Sequence, residues 1–504
     1  MMETLALLFD GLAGAAAPQN LLAVFVGVLL GLAVGALPAL GPAAGVAILL
    51  PAIVNLDPTV AIAGLAGVYY GAMYGGAVTS ILIGVPGDSA AMMTVLDGYP
   101  MAKRGEAGRA LGMAVYASFV GGLISLVLMT FLSAWVARAA LAFGPAEMTA
   151  LIVLALALVT VLGDEDALKG FLGLGLGLWV GMIGLDPMRG IPRFTFGSLH
   201  LLEGIDFTVV VVGMYGLGQM FAALNTTAGG GASRTEYSMA SLMPRLSDFV
   251  VCRATLVWSS LIGFFVGVLP GAGATAATVF SYATAKRLSK TPGAFGKGAI
   301  EGVAAPEAAN NAASYSAMIP LFTLGIPGSG TTAVMLGGLL MLGLEPGPRL
   351  FSQQPEFIWT LIGTFYVGNI ALVFLTLILV PLLAALVFVR TSILFPIVVA
   401  VVFFGIYSIG YSVADVLFCM LFGVAGYLLT RLNYPMLPIL LGVILGPLLE
   451  RAIRRSLVIS QGDVSIFWGS TIAAIVLACA AALLLYGVLG PLVRSRPDKA
   501  HGHV

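Results

Sequence analysis

Long runs of apolar residues, separated by short polar segments, fill almost the whole chain. A membrane-spanning helix needs about 20 apolar residues, and the chain holds roughly 11 or 12 runs of that kind. Several of these runs are interrupted by proline and glycine. The pattern predicts an all-α integral membrane protein of roughly 11–12 membrane segments, with broken or re-entrant helices at the Pro/Gly motifs.

The stretch from Lys297 to Gly347 is apolar, yet it carries groups that an ordinary spanning helix does not need. It contains Glu301, Glu307, an adjacent pair of asparagines and three prolines before residue 330. Backbone opened by proline at membrane depth is stable only where protein or a water-filled cavity supplies new hydrogen-bond partners. Buried ionisable groups in membrane chains usually mark a solute or ion path. We interpret this stretch as half of a transport site.

Glycine and proline motifs of the first half of the chain recur in the second half in the same order. Pro86-Gly87 recurs 241 residues later as Pro327-Gly328, and five residues recur 232 residues later, namely Gly31, Gly35, Leu37, Pro38 and Gly41. Repeats with matching Gly/Pro-interrupted segments are typical of secondary transporters. We therefore expect a first membrane repeat over residues 1–225, a polar Gly-rich connector over 226–246, a second membrane repeat over 247–491 and a polar C-terminal tail over 492–504.

Basic residues follow different interruptions in the two halves. Each half has two Pro/Gly interruptions, at Pro38 and Pro86 in the first half and at Pro270 and Pro327 in the second. In the first half the basic residues follow the second interruption, and they are Lys103, Arg104 and Arg109. In the second half they follow the first interruption, and these are Lys286, Arg287, Lys290 and Lys297. Positively charged loops stay cytoplasmic, so equivalent loops are expected on opposite sides of the membrane. This predicts inverted repeats, although Arg138 and Arg390 occupy similar places in both halves and argue against it.

Four helices are expected to restart inside the membrane, after Pro38, Pro86, Pro270 and Pro327. The first N–H groups of a helix lack helical partners and carry partial positive charge, so they bind carboxylates without a lysine. Residues at the restarts and the asparagine pair are the candidate substrate-binding residues: Gly41, Ser89, Gly273, Asn310, Asn311, Gly328, Ser329, Thr331 and Thr332. Capping of their own helices is the alternative role for the serines and threonines.

Three carboxylates, Asp88, Glu301 and Glu307, are the candidates for cation coupling. A buried charge costs roughly 2.5–3.5 kcal/mol on insertion scales, which favours pairing, protonation or cation binding. Asp88 can alternatively be a helix N-cap, and Glu301 can be an interfacial residue. We expect no bound cofactor, and no metal beyond Na⁺; Na⁺ or H⁺ is the expected coupling ion.

Several long motifs resemble those of the tripartite tricarboxylate transporter family, specifically its large TctA-type membrane subunit. The matching runs include YYGAMYGGAVTSILIGVPGDSA, AAPEAANN and GIPGSGTT, and the resemblance covers essentially the whole chain. It implies a permease of the bacterial inner membrane that works with a smaller membrane subunit and a periplasmic solute-binding protein. It also implies uptake of carboxylates coupled to an ion gradient.

Composition and motifs argue against other classes of function. Only 9% of the residues are charged and the net charge is zero, so nucleic acid is not an expected partner. HExxH and GxSxG motifs are absent from the sequence, and we expect the protein not to be an enzyme. An anion channel and, less favoured, a polytopic membrane enzyme are the alternatives, since broken half-helices also line pores.

Overall fold

The fold is almost entirely helical. The computed structural model describes residues 2–37, 40–141, 143–162, 167–186, 188–224, 242–387, 389 and 391–494. Eight of the described helices are long and apolar enough to cross a membrane, and six shorter helices are also apolar. The predicted all-α membrane protein is thus confirmed. The predicted connector and tail lie largely outside the described residues.

The helices and strands follow the chain in this order. The first part has α1 Met2–Ala15, α2 Pro18–Gly35, α3 Pro42–Leu49, α4 Pro58–Leu82, α5 Met92–Lys103, α6 Ala107–Ala140, α7 Pro145–Leu162, α8 Ala167–Gly181, β1 Gly184–Leu185, β2 Pro192–Arg193, α9 Phe207–Val211, a π-helical segment Val212–Leu217 and α10 Gly218–Ala223. The second has α11 Leu246–Val268, α12 Gly273–Leu288, α13 Glu301–Ser316, α14 Met318–Leu324, α15 Gly330–Met341, α16 Pro348–Gln353, α17 Pro355–Leu386, α18 Thr391–Gly410, α19 Val413–Arg431, α20 Met436–Ile459, α21 Ile466–Gly469 and α22 Thr471–Arg494.

The chain forms two compact units. The larger unit comprises Met1–Leu141 and Asp206–Leu432, and the smaller unit comprises Ala142–Ile205 and Asn433–Val504. Each unit therefore takes segments from both predicted repeats. The division of the sequence into repeats and their inverted topology stay predictions.

Glycines hold α2 and α4 of the larger unit in backbone contact. A Cβ added to Gly27, Gly31 or Gly35 would collide with the backbone of Gly64, Val68 or Ala72, respectively. The residue numbers of the contacting positions increase along both helices, so α2 and α4 run in the same direction. The chain between them must return to the side on which α2 began. The short helix α3 and a 3₁₀ turn at Leu50–Ile53 lie on this return path, which makes the segment re-entrant.

The second half repeats this arrangement. A Cβ added to Gly263 or Gly267 of α11 would collide with the backbone of Ala309 or Ala313 of α13. Helices α11 and α13 are therefore also parallel, and α12 is the re-entrant segment between them. Gly263 and Gly267 lie 232 residues after Gly31 and Gly35. Small residues permit such close helix approach, which favours association in membranes.

One part of the sequence interpretation is wrong. The prolines of the 297–347 stretch were expected to open the backbone, but Pro306 lies inside α13 and Pro320 lies inside α14. Pro306 is in the second turn of its helix, where it removes the hydrogen bond to the Gly302 carbonyl and crowds that oxygen, yet α13 continues to Ser316. The helical backbone is interrupted at Pro327, between α14 and α15.

A buried carboxylate joins segments of the two halves at one end of the larger unit. Asp97 of α5 accepts hydrogen bonds from the backbone N–H groups of Gly298 and Ala299, both at 2.7 Å. Its other oxygen accepts the Tyr282 hydroxyl at 2.7 Å. Arg104 donates to the carbonyl oxygen of Gly298 at 2.8 Å. The two segments that carry the basic residues therefore lie side by side.

In the smaller unit, α7 packs on α22, and α8 packs on α20. Gly177 of α8 and Gly442 of α20 bring these backbones into contact, since a Cβ on either would collide with the other helix. The strands β1 and β2 pair antiparallel directly after α8.

We predict that Gly31→Leu destabilises the protein, because its side chain has no room against the Val68 backbone. Overpacking of this kind costs about 1–3 kcal/mol. The variant should show lower membrane abundance and a lower melting temperature in detergent. Gly175→Leu is the matched control, since a Cβ there meets no atom within 4 Å. Equal stability of both variants would contradict the packing described for α2 and α4.

Candidate functional site

The larger unit contains four helix interruptions at the predicted Pro/Gly motifs. Pro86, Pro270 and Pro327 each lie between the end of one helix and the start of the next. The fourth interruption lies between Gly35 and Pro42, although Pro38 itself is outside the described residues. The helices that restart are α3, α5, α12 and α15.

The two interruptions within each half are in contact. In the first half, a Cβ on Gly87 would lie 2.9 Å from the Gly35 carbonyl oxygen, and one on Gly41 would lie 3.6 Å from Asp88 Cβ. In the second half, the Gly271 N–H donates to the Gly328 carbonyl oxygen at 3.2 Å. Each re-entrant helix thus begins beside the second interruption of its own half.

Hydroxyl groups connect the interruptions of the first half to those of the second. The Oγ of Ser89 lies 2.8 Å from the Oγ1 of Thr275, in the first turn of α12. The hydroxyl of Tyr69 on α4 lies 3.5 Å from the Oγ of Ser329. All four interruptions are therefore part of one connected polar region.

This region is partly accessible. Ser89 is exposed, and Asp88, Thr275 and Ser329 are half-buried, as are Gly41 and Gly273. Gly273 has φ +61° and begins α12, so a side chain at this position would strain the backbone. Gly328 and Thr331 are buried beside the accessible residues. A solute could contact hydroxyl and carboxyl groups here without the protein unfolding.

Of the predicted capping roles, that of Ser329 is confirmed, whereas the N-cap of α5 is Ala91, so neither Asp88 nor Ser89 caps that helix. Ser329 is the N-cap of α15, where its Oγ accepts from the Thr332 N–H at 3.3 Å and its own N–H donates to Thr332 Oγ1 at 2.8 Å. The Asp88 carboxylate accepts from the Ala91 N–H at 2.9 Å. These contacts fix the side chains at the helix starts, and they leave room for a further contact with a solute.

A fully buried polar stripe lies behind this region on α13. Glu307, Asn310 and Asn311 have no exposed surface, and their spacing of three and four residues places them on one side of the helix. Thr94 Oγ1 donates to a Glu307 oxygen at 2.6 Å. Asn311 Nδ2 donates to Ser118 Oγ at 2.8 Å. The stripe is thus enclosed by α4, α5 and α6.

Two amide oxygens of the stripe lack hydrogen-bond partners among the described residues. Asn310 Nδ2 donates to the Met73 carbonyl oxygen at 3.3 Å, but Asn310 Oδ1 has no donor. Asn311 Oδ1 is also buried without a donor. Most buried polar atoms are paired, so such an atom requires an explanation. A free carbonyl oxygen can accept a hydrogen bond from a solute or a water molecule, or it can coordinate a cation.

Glu301 lies apart from the other candidate residues. It begins α13, and its carboxylate accepts from Ser289 Oγ at 2.7 Å and from Thr255 Oγ1 at 3.4 Å. The structure places it next to the basic 286–297 segment, two helical turns before Asn310. This position agrees with the alternative role of Glu301, that of a residue at the membrane interface.

Sequence reasoning missed the residues that complete the region: Tyr69, Thr94, Ser118 and Thr275. Their contacts join positions that are far apart in the chain, which a motif does not reveal. The sequence offers one signal for Tyr69: it lies 241 residues before Asn310, the displacement of the predicted repeat.

The fold and the interrupted helices define the class of the protein as a multi-pass membrane protein with polar helix breaks at its centre. Residues 21–441 match the model of the tripartite tricarboxylate transporter TctA family. The chain belongs to this family, and it is a membrane protein of tricarboxylate transport.

Two relatives come from Agrobacterium vitis. One, described as an uncharacterized 52.8 kDa protein in the TAR-I ttuC' 3' region, is 40% identical over 502 residues and covers 99% of both chains. The other, described as an uncharacterized protein in the TAR-II ttuC' 3' region, is 41% identical over 237 residues, which are 47% of this chain and 98% of the relative. No solved structure matches the chain.

We predict that Ser89→Cys combined with Thr275→Cys forms a disulfide under mild oxidation, because the two side-chain oxygens are 2.8 Å apart. The exposed Cys479 is first replaced by serine, while Cys252 and Cys419 are buried. Cleavage between the two positions should leave the fragments joined until a reductant is added. Each single-cysteine variant is the control. Fragments that separate without reductant would contradict the contact between the two halves.

Proposed function

We propose that the chain is the large permease subunit of a binding-protein-dependent secondary transporter that imports carboxylates, either tricarboxylates or related di- and monocarboxylates. Transport is coupled to a Na⁺ or H⁺ gradient. The observation that carries this proposal is the contact of Ser89 with Thr275, which joins interruptions of both halves, together with the contact of Tyr69 on α4 with Ser329. Transporters commonly bind their solutes where interrupted helices of two repeats meet.

The chemistry of the interruptions suits a carboxylate. Lysine and arginine are absent from the sequences of all four interruptions, ALPALG, IGVPGDSAA, LPGA and GIPGS. The N-terminal N–H groups of the restarting helices can hold an anion, each contributing about 0.3–2 kcal/mol depending on burial. Several weak contacts without a fixed cation would bind a multiply charged solute and still release it.

The coupling ion would act at carboxyl groups near this region. Asp88 lies at the second interruption, and Glu307 lies on the side of α13 that also carries Asn310 and Asn311, whose amide oxygens are free. Neither carboxylate has an ion pair with a basic residue among the described parts of the chain. A proton or a Na⁺ ion would compensate such a charge.

The repeats are proposed to be inverted, with the two basic segments on the cytoplasmic side. The contact of Arg104 with Gly298 supports this arrangement. Cysteines that replace Lys103 and Lys290 should both react with an impermeant thiol reagent only from the cytoplasm. Reaction from opposite sides of the membrane would overturn the inverted topology. Leu56→Cys, in the turn after α3, is the control and should react from the other side.

The partners are proposed from the family. A tripartite system implies a small membrane subunit and a periplasmic solute-binding protein, and the proposed location is the bacterial inner membrane. In this assembly, the binding protein would deliver the carboxylate to the interrupted helices.

We predict that Asn310→Ala and Asn311→Ala each abolish carboxylate uptake by cells while membrane abundance stays normal, because each removes an amide oxygen that is free for a solute or cation. Asn20→Ala is the matched control. Asn20 is also buried, also donates to one carbonyl oxygen and also has an Oδ1 without a donor. Uptake that survives both substitutions on α13 would remove these residues from the site.

A further inference from the structure

The smaller unit contains a cavity that the proposed transport site does not use. Its volume is about 450 Å³, and it lies between the end of α8, the strand pair β1–β2 and the middle of α20. It is lined by apolar residues together with two arginines and two glutamates: Gly181, Ile183, Gly184, Leu185, Arg193, Leu202, Glu203, Pro447, Glu450 and Arg451.

Ion pairs build one wall of the cavity. Arg193 makes two hydrogen bonds to the Glu450 carboxylate, at 2.9 and 3.2 Å. Arg454 binds the carboxylates of Asp186, at 2.7 Å, and Glu450, at 2.6 Å. The Arg454 guanidinium holds the pKa of Asp186 well below its usual range. The charges of these four side chains balance one another and fix the strand pair against α20.

Two charged groups and one donor of the lining remain without a partner. Arg193 Nε is buried and has no acceptor. Within the described residues, Arg451 and Glu203 form no ion pair and no side-chain hydrogen bond, and both are exposed. The cavity therefore offers one free cation, one free anion and one buried N–H. This combination is complementary to a ligand that carries both charges.

Aromatic and apolar side chains place the cavity at the membrane surface. Trp179, two residues before Gly181, is 43% exposed, and its ring contacts Phe194 edge-on with 6.2 Å between the centroids. Phe196 beyond β2 is 80% exposed. Tryptophan is enriched where helices leave the hydrocarbon and enter the headgroup layer. Gly181, two residues after Trp179, is the first residue of the chain that lines the cavity.

We propose that this cavity binds the headgroup of a zwitterionic phospholipid that carries a primary ammonium group. Arg451 and Arg193 Nε donate to the lipid phosphate, and Glu203 accepts from the ammonium. The apolar part of the lining, Ile183, Leu185 and Leu202, contacts the glycerol and upper acyl carbons. An ammonium with three N–H donors satisfies Glu203 better than a trimethylated amine, which has none.

The test uses the full chain, purified in detergent and examined by native mass spectrometry with added phospholipids. Phosphatidylethanolamine should be retained more strongly than phosphatidylcholine or phosphatidylglycerol. Glu203→Gln should weaken phosphatidylethanolamine binding roughly tenfold, the effect of losing one charge-assisted hydrogen bond, and leave phosphatidylglycerol binding intact. Arg451→Gln should weaken the binding of all three lipids. Arg455→Gln, on the same helix but outside the lining, is the matched control.

Equal retention of the three lipids by the unchanged chain would overturn the proposal, as would a Glu203→Gln variant with the original preference. Soluble glycerophosphoethanolamine is added in a second arm. If it displaces the lipid at equal concentration, the ligand is a soluble phosphoamine and the lipid assignment is wrong. Melting temperatures provide an independent readout, since phosphatidylethanolamine should stabilise the unchanged chain more than Glu203→Gln.

Discussion

Backbone contact between parallel helices is the constraint on which the larger unit depends. Glycines on α2 and α11 lie so close to the carbonyl groups of α4 and α13 that a Cβ atom at these glycines would collide with them. Because each pair is parallel, the chain between its members must turn back within the unit. This return produces α3 and α12, and it brings the interruptions of each half together. The positions of small residues thus determine where the interrupted, polar backbone lies within the larger unit.

The polar groups at the interruptions and on α13 form an accessible set and a buried set. Ser89, Thr275 and Ser329 belong to the accessible set, and Glu307 with the asparagine pair belongs to the buried one. The unpartnered oxygens belong to Asn310 and Asn311, which lie on the same side of α13 as Glu307. We propose that a solute bound at the accessible set changes the affinity of the buried Glu307 carboxylate for a proton or a Na⁺ ion. In our account, that is how solute binding and ion binding are coupled.

The sequence predicted the class of fold and most of the interruptions because proline and glycine act locally. It erred at Pro306, where α13 continues through the proline and packs against α6 and α11. Glu301 and Glu307 were both candidates for cation coupling, and α13 places Glu301 beside the basic 286–297 segment and Glu307 in the buried interior. Tyr69 and Thr275 were not predicted, because their importance arises from contacts between residues 260 and 186 positions apart. Burial and long-range contacts are tertiary properties that periodicity does not contain.

The central claim is that this chain is a carrier whose interrupted helices couple a carboxylate to an ion gradient. The most direct measurement is uptake of radiolabelled carboxylates into proteoliposomes that contain the chain and its small membrane partner. The binding protein is added outside, and Na⁺ and proton gradients are imposed separately. Our account predicts saturable uptake that requires the binding protein and one of the two gradients. Flux that is linear, indifferent to both gradients and independent of the binding protein would indicate a channel and contradict the account.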